Sequence, residues 1–320
     1  MFGHGAPAVL SVIPDTFTFA WIVAILFATA WVLDSRGLAA GRTLAAATWA
    51  LFGLFWLSTV PYFAFEHQSY VESILALVGF PASVYAGYLL YDGRASLFTL
   101  TRAIAIMLFI YLPFETIPAF TFAGIAVPEP RRILIEVVAT QTGMLIDLLG
   151  YAPEAVTSSE GYDAAYSWTL DDGHTVIIHI VLACTGLGSM AIFGGLVAAV
   201  EAPLSRKLRA LAVSIPLIYV LNIFRTAFIS IVAGNQYMHW YPDLVLTMFG
   251  ATDPYRVSFL ISDRIMSQLL AVVALIAITF LAVRQLPELA VILEDVLYLI
   301  TGEEHDLTEA LDLPREPTNR

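Results

Sequence analysis

The chain contains 320 residues, of which 59% are hydrophobic and only 13% are charged. Soluble proteins contain about 45–50% apolar and about 25% charged residues, so this composition excludes a water-soluble globular protein and indicates a multispanning membrane protein. The net charge of −12 argues against a nucleic acid as partner. The single cysteine, Cys184, excludes a disulfide framework and a Cys-rich metal centre, and we expect neither a metal nor another cofactor.

Hydropathy predicts an all-α polytopic protein. A transmembrane helix needs about 20 predominantly apolar residues. Seven windows meet this length: 16–33, 44–65, 72–90, 103–122, 185–201, 210–233 and 264–283. Residues 131–150 carry a polar stripe at helical spacing, formed by Glu136, Thr140, Gly143 and Asp147. We expect this segment to lie in the outer interface, with an eighth span as the alternative.

Basic residues orient the predicted spans, because cytoplasmic loops carry an excess of Lys and Arg. Most of the 15 basic residues follow spans one, three, five and seven. We therefore expect the N-terminus outside and the C-terminus in the cytoplasm. This divides the chain into a transmembrane domain, residues 1–284, and an acidic cytoplasmic helix and tail, residues 285–320.

One segment between the spans has β-strand character. Residues 165–170 and 174–182 are β-prone and are joined by Asp171-Asp172-Gly173. Asp-Gly between two such runs is a strong hairpin signal, so we predict a small extracytoplasmic β-hairpin. Its second strand leads into Ala183-Cys184-Thr185-Gly186, where span five begins.

Cys184, at this junction, has two interpretations. A thiol at a helix N-terminus has its pKa lowered by the helix dipole, which increases the reactive thiolate fraction. A single cysteine in an apolar protein can equally be a small buried hydrophobic residue. Cys184 alone does not decide between them.

Arg225 lies within the apolar stretch 217–231, eight residues or about 12 Å from Ala233 at the outer end of the span, at 1.5 Å per residue. A charge inside a span costs about 2.5–3.5 kcal/mol, so it has either a function or a structural partner. Asn222, one turn earlier, is the expected neighbour. Arg264 follows Asp263 at the outer end of span seven. It serves either the same function or a plain interfacial pair with Asp263 or a lipid headgroup.

Chain separations bring these side chains to one leaflet. Cys184 and Arg225 are 41 residues apart, which corresponds to two spans of about 20 residues. Arg225 and Arg264 are 39 residues apart, enough to leave the membrane, follow an outer loop and return. One thiol and two guanidiniums are therefore expected together in the outer leaflet.

Three motifs at this spacing resemble those of the exosortase/archaeosortase family of membrane transpeptidases. They are Ala183-Cys184-Thr185-Gly186, Asn222-Ile223-Phe224-Arg225-Thr226 and Asp263-Arg264. The resemblance covers most of the membrane portion. Exosortases usually have a histidine in the third motif, whereas Arg264 is similar to the archaeosortase pattern and leaves the proton carrier unassigned.

The resemblance implies a cysteine transpeptidase that acts outside the membrane. Its expected substrates are secreted surface proteins, such as the S-layer glycoprotein, with a C-terminal tail made of Pro-Gly-Phe, a hydrophobic span and a basic end. The tail would be cleaved through a thioester on Cys184. The new C-terminus would then be joined to an archaeal ether phospholipid.

In this scheme Arg225 stabilises the thiolate and the oxyanion, and Arg264 serves the oxyanion or a substrate or lipid phosphate. A guanidinium does not deprotonate, so the leaving amine takes its proton from water or a histidine. His179 and His239 are the candidates, each otherwise an ordinary surface residue. Other candidates for support are Thr185, Asn222, Asp263 and, for the acceptor phosphate, Arg256.

A polytopic transporter is the alternative, with Arg225 as an anion site and Glu136 and Asp147 as proton relays. Against it, no repeat relates the two halves of the sequence, although transporters commonly contain one. An intramembrane protease lacks support, because Asp147 and Asp263 are not in a Gly-x-Gly-Asp setting. A structural scaffold would not explain why two arginines and the only cysteine converge.

Overall fold

The computed structural model describes residues 15–66 and 69–311, which are mostly helical. Within these residues, six helices are long and apolar enough to cross a membrane. They are Thr16–Ser35, Ala40–Glu66, Tyr70–Asp92, Leu97–Thr116, Leu204–Gly234 and Pro254–Gln285. The predicted polytopic all-α class is confirmed.

Two of the seven predicted spans end before their windows do. The fifth is helix α6 (Leu187–Ala199), whose 13 residues extend about 20 Å, less than the roughly 30 Å of a bilayer core. The fourth, α4 (Leu97–Thr116), ends six residues early. Ile117 precedes Pro118, and a residue before proline disfavours helical geometry. The chain there forms a short antiparallel pair, β1 (Phe120–Phe122) and β2 (Ile125–Val127).

The ambiguous segment is helix α5 (Pro130–Leu148), which is not among the six long apolar helices of the described chain. Its position in the interface stays a prediction.

Among the described residues, one compact unit comprises 15–66, 69–116, 198–200 and 290–311. Helices α1 (Thr16–Ser35), α2 (Ala40–Pro61), α3 (Tyr70–Asp92) and α4 pack around aromatic side chains, with Phe27 edge-on to Trp49 and Phe52. The predicted C-terminal helix is α11 (Ala290–Thr301). Arg94 Nε binds the Asp295 carboxylate of this helix at 2.7 Å. The short helix α12 (Leu307–Ala310) follows, and residues 312–320 of the predicted tail lie outside the described residues.

The second unit comprises residues 117–197 and 201–289. Its antiparallel sheet has the order β3-β4-β5, formed by Glu154–Val156, Ala165–Thr169 and Thr175–His179. The pairing of β4 with β5, closed by Asp171-Asp172-Gly173, confirms the predicted hairpin. Strand β5 ends at His179 rather than at 182, and β3 was not predicted because three residues show no alternation.

Helix α7 (Leu204–Gly234), about 46 Å long at 1.5 Å per residue, is the scaffold of this unit. The sheet packs on its C-terminal end, where the indole of Trp168 covers Gly234 and donates to the Ser230 hydroxyl at 3.3 Å. A Cβ on Gly234 would lie 2.3 Å from that indole, so only glycine permits this approach. The sheet is thereby fixed relative to the polar residues of α7.

After α7 come helix α8 (Pro242–Phe249) and a long helix that changes type along its length. A turn, Pro254–Arg256, and α9 (Val257–Phe259) lead into a π-helical segment, Leu260–Ser267, and then into α10 (Gln268–Gln285). π-Helical turns occur frequently at functional sites, because they rotate side chains out of the regular helical register. This segment carries Asp263 and Arg264.

Candidate active site

Cys184 lies in a 3-10 turn, Leu182–Thr185, that connects β5 to α6. The expected position at a helix N-terminus is wrong, because α6 begins only at Leu187. Gly186 between them has φ +75°, a left-handed conformation that glycine adopts without strain. Thr185 is buried, and its hydroxyl donates to the Leu182 carbonyl at 2.7 Å and accepts from the Leu187 amide at 3.3 Å. Thr185 therefore joins the turn to the helix.

Helix α7 holds this turn from the side. The Asn222 side-chain amide donates to the Cys184 carbonyl, and the Thr226 hydroxyl donates to the same oxygen at 3.2 Å. We expected Asn222 to bond Arg225, but it positions the backbone of the cysteine instead. Thr226 was missed as a supporting residue, although its spacing of four from Asn222 puts both on one helix face.

Arg225 and Arg264 share one carboxylate. Asp263 Oδ1 accepts from Arg225 Nη2 at 2.6 Å, and its Oδ2 lies 3.5 Å from Arg264 Nε. The side chains of Asp263 and Arg264 are 12% and 13% exposed, whereas that of Arg225 is 29% exposed. The expected pair of Asp263 with Arg264 is present, but the shorter contact is to Arg225 on another helix.

The charges of this cluster act on the half-buried thiol of Cys184, which lies outside the six long helices. Burial raises its pKa above the ordinary value, since a thiolate loses hydration there. Arg225 and Arg264 act in the opposite direction, and Asp263 adds to the increase. The net direction is opposite to the decrease expected from a helix dipole. Cys184, Arg225 and Arg264 are nevertheless close enough to interact, as their spacing predicts.

The remaining candidates lie elsewhere. His179 ends β5 and is exposed, and His239 is exposed in the loop after α7. Arg256 is an exposed residue at the end of the turn before α9. The Cys184 carbonyl and the Arg225 guanidinium are bound by other residues, namely Asn222, Thr226 and Asp263. The structure thus supplies support through Asn222, Thr226, Thr185 and Asp263.

A family model described as "Transmembrane exosortase (Exosortase_EpsH)" matches residues 13–254. The chain belongs to the transmembrane exosortase family. The matched region contains Cys184 and Arg225, and it ends before Arg264. Membership in this family identifies a membrane-embedded sorting transpeptidase.

Two similar proteins extend the match across the third motif. Archaeosortase A of Haloferax volcanii is 53% identical over 294 residues, which cover 92% of this chain and 97% of that protein. Archaeosortase A of Natronomonas pharaonis is 42% identical over 309 residues, covering 92% of each chain. No solved structure matches the chain.

Proposed function

We propose that this exosortase is a cysteine transpeptidase that cleaves the C-terminal sorting tail of secreted surface proteins and joins the new C-terminus to a membrane lipid. The observation that carries the proposal is the placement of the only thiol, Cys184, within the field of two guanidiniums that share the Asp263 carboxylate. A packing cysteine would not need these charges, which are costly in a membrane protein.

The chemistry proceeds in two displacements. The Cys184 thiolate attacks the scissile carbonyl, and the tetrahedral intermediate collapses to a thioester as the carbon–nitrogen bond breaks and the leaving amine takes a proton from water. A lipid nucleophile then attacks the thioester carbon, and the carbon–sulfur bond breaks to return Cys184. The net reaction exchanges one acyl bond for another.

Arg225 is the preferred oxyanion donor in this scheme. A guanidinium has five N–H donors, of which Asp263 takes one from Nη2, and the partial exposure of Arg225 leaves other donors accessible to a substrate. Arg264 is more enclosed and adds a second positive charge. Asn222, Thr226 and Thr185 hold the backbone of the nucleophile in place.

The substrates proposed are surface proteins such as the S-layer glycoprotein, with a tail of Pro-Gly-Phe, a hydrophobic span and a basic end. The acceptor proposed is an archaeal ether phospholipid, and the active site faces the extracytoplasmic side, with the N-terminus outside and residues 285–320 cytoplasmic. These assignments rest on the three motifs and on the distribution of basic residues. A transporter with Arg225 as its anion site is disfavoured, because no repeat relates the two halves of the sequence.

The test uses host cells that lack their own copy, complemented with the wild type, Cys184→Ala or Cys184→Ser. The reporter carries the Pro-Gly-Phe tail, and gel mobility and lipid labelling are measured together with the membrane abundance of each variant. We expect a shortened, lipid-labelled product only from the wild type. If Cys184→Ala processes the reporter at equal abundance, Cys184 is a packing residue and the mechanism is wrong.

A further inference from the structure

A groove of about 620 Å³ opens beside the candidate active site, between α6, α7 and α10. Its residues divide into two groups. One end is polar and is formed by Gly186, Ser189, Asn222, Arg225 and Ser267. The rest is apolar, with Phe193, Ile218, Leu221 and Ile278 among its lining, and Ala271, Ala274 and Ala277 of α10 leave the space open. The groove is therefore amphipathic along its length and begins next to the residues that hold Cys184.

The Ser267 hydroxyl at the polar end lacks a hydrogen-bond partner among the residues that the structure describes. Ser267 is only 2% exposed. Buried hydroxyls are normally paired, and those of Ser214 and Thr101 each donate to the carbonyl four residues earlier at 2.8 Å. Ser267 lines the groove, so a ligand oxygen at this end can supply the missing partner.

Arg225 gives the same end a positive charge. Asp263 binds one nitrogen of its guanidinium, and the 29% exposed side chain contributes to the groove wall. A guanidinium fork matches the oxygens of a phosphate, and a serine hydroxyl can donate to them as well. The polar end is thus suited to an anionic headgroup, and the apolar remainder to a hydrocarbon chain.

The volume of the groove distinguishes between the two apolar reactants, which are the hydrophobic span of the sorting tail and the hydrocarbon chain of the lipid. A helix of about 10 Å diameter that rises 1.5 Å per residue occupies about 120 Å³ per residue, so the groove would hold about five helical residues. A membrane-spanning tail needs about 20 residues. In contrast, cavities of about 300–1,000 Å³ commonly enclose one small molecule, which is the size class of a single lipid chain.

We propose that this groove binds one hydrocarbon chain of the acceptor phospholipid, with its phosphate at Arg225 and Ser267. The proposal rests on the proposed function. With the phosphate there, a headgroup amine lies near the thioester. The amine nitrogen attacks the acyl carbon, the carbon–sulfur bond breaks, and the amine proton passes to the departing Cys184 sulfur.

The test separates lipid transfer from tail release. Purified full-length protein is placed in vesicles of diphytanyl ether phosphoethanolamine mixed with diphytanyl ether phosphocholine, which has no primary amine. Ala274→Phe fills the groove, and Val272→Phe is the matched control, because Val272 is 51% exposed on the same helix and does not line the groove. Released tail, hydroxylamine-sensitive thioester and lipid-linked product are measured with a tail-bearing reporter.

We expect Val272→Phe to behave like the wild type. In Ala274→Phe the ratio of lipid-linked product to released tail should fall at least about tenfold and thioester should accumulate, because an overpacked groove excludes the chain. An unchanged ratio would overturn the proposal. Equal loss of tail release and lipid transfer at normal abundance would also overturn it, because the groove would then serve the tail.

Ser267→Ala tests the headgroup end without changing the volume greatly. We expect a higher KM for the phosphoethanolamine lipid and a larger loss of lipid transfer than of thioester formation, and an unchanged KM would contradict the assignment of Ser267. If the wild type releases the tail but links no lipid in these vesicles, the proposed transpeptidation is refuted. The assignment of the groove to the acceptor lipid is then refuted as well.

Discussion

Asp263 offers the sharpest test of the charge arrangement. Its carboxylate bridges Arg225 at 2.6 Å and Arg264 at 3.5 Å, and its side chain is only 12% exposed. Asp263→Asn keeps the size and one hydrogen-bond acceptor but removes the negative charge. Asp263→Ala removes the acceptor as well, and both guanidiniums then lose their shared partner.

The contact between Asp263 and Arg225 sets the expected loss of tail release. A hydrogen bond to a charged group contributes about 1.5–3 kcal/mol, and removing one partner of a buried ion pair costs about 3–5 kcal/mol. Removing an oxyanion donor lowers kcat by about 10²–10³, and an Arg225 that no longer reaches the substrate has the same effect. We therefore expect tail release to fall by about 10²–10³ in Asp263→Ala and less in Asp263→Asn, whose amide oxygen still accepts from Arg225.

The pH profile shows whether Asp263 acts through charge. Its carboxylate raises the pKa of the Cys184 thiol, so neutralising it should lower that pKa. Below the thiol pKa the rate follows the thiolate fraction. The acidic limb of the profile should therefore move to lower pH in Asp263→Asn, even though the maximal rate is reduced.

The assay follows release of a fluorescent tail from a reporter peptide between pH 5 and 10 at equal amounts of folded protein. Glu288→Gln is the matched control, because Glu288 forms a comparable ion pair with Arg206 at 3.0 Å. It should change neither the maximal rate nor the limb. An acidic limb that stays in place or moves to higher pH in Asp263→Asn would refute the electrostatic argument.

Three further substitutions test individual contacts. Arg225→Lys should reduce tail release about 10²-fold at unchanged abundance, because one ammonium cannot replace a planar guanidinium that binds both Asp263 and the substrate. Retention of half the rate would contradict this. Gly186→Ala should destabilise the protein by about 1–2 kcal/mol in thermal unfolding, because φ is +75° and the new Cβ would lie 3.1 Å from Asn222. Unaltered unfolding would show that the turn can relax. Tyr255→Phe removes the 2.6 Å hydrogen bond to Asp172 that holds the pKa of this carboxyl below its usual value, so this pKa should rise. Amide exchange of the hairpin should increase near neutral pH while tail release continues. Unchanged exchange would mean that this contact does not hold the hairpin.

The fold could be predicted wherever one local signal was sufficient. Long apolar windows predict the helices, and Asp171-Asp172-Gly173 between β-prone runs predicts the β4–β5 hairpin. The early end of α4 was also encoded, in Pro118, but hydropathy continues past it to residue 122. Strand β3 could not be found in this way, because three residues pair with β4 through tertiary structure alone.

The proximity of Cys184, Arg225 and Arg264 followed from chain length, since two crossings return a residue to the same leaflet. Their contacts did not follow from it. Which residue Asn222 reaches depends on the rotation of α7 against the turn that carries Cys184. The bridge through Asp263 depends on the π-helical segment, whose altered register hydropathy does not encode. Sequence spacing therefore predicts which residues form the site, whereas helix geometry determines which of them bond to each other.

The charges of the cluster explain why two arginines are combined with one aspartate. Arg225, Arg264 and Asp263 together carry a net charge of +1, and a site of low polarity favours arrangements in which such a charge is compensated. In the proposed mechanism the Cys184 thiolate supplies the first compensating charge, and the tetrahedral oxyanion supplies the next as the sulfur becomes bonded. With both arginines unpaired, the uncompensated charge would be +2, and with a second carboxylate the thiolate would have no excess positive charge beside it. One shared aspartate leaves a single positive charge available for each anion in turn, so removing it should damage positioning while making the thiol more acidic, which is the combination that Asp263→Asn tests.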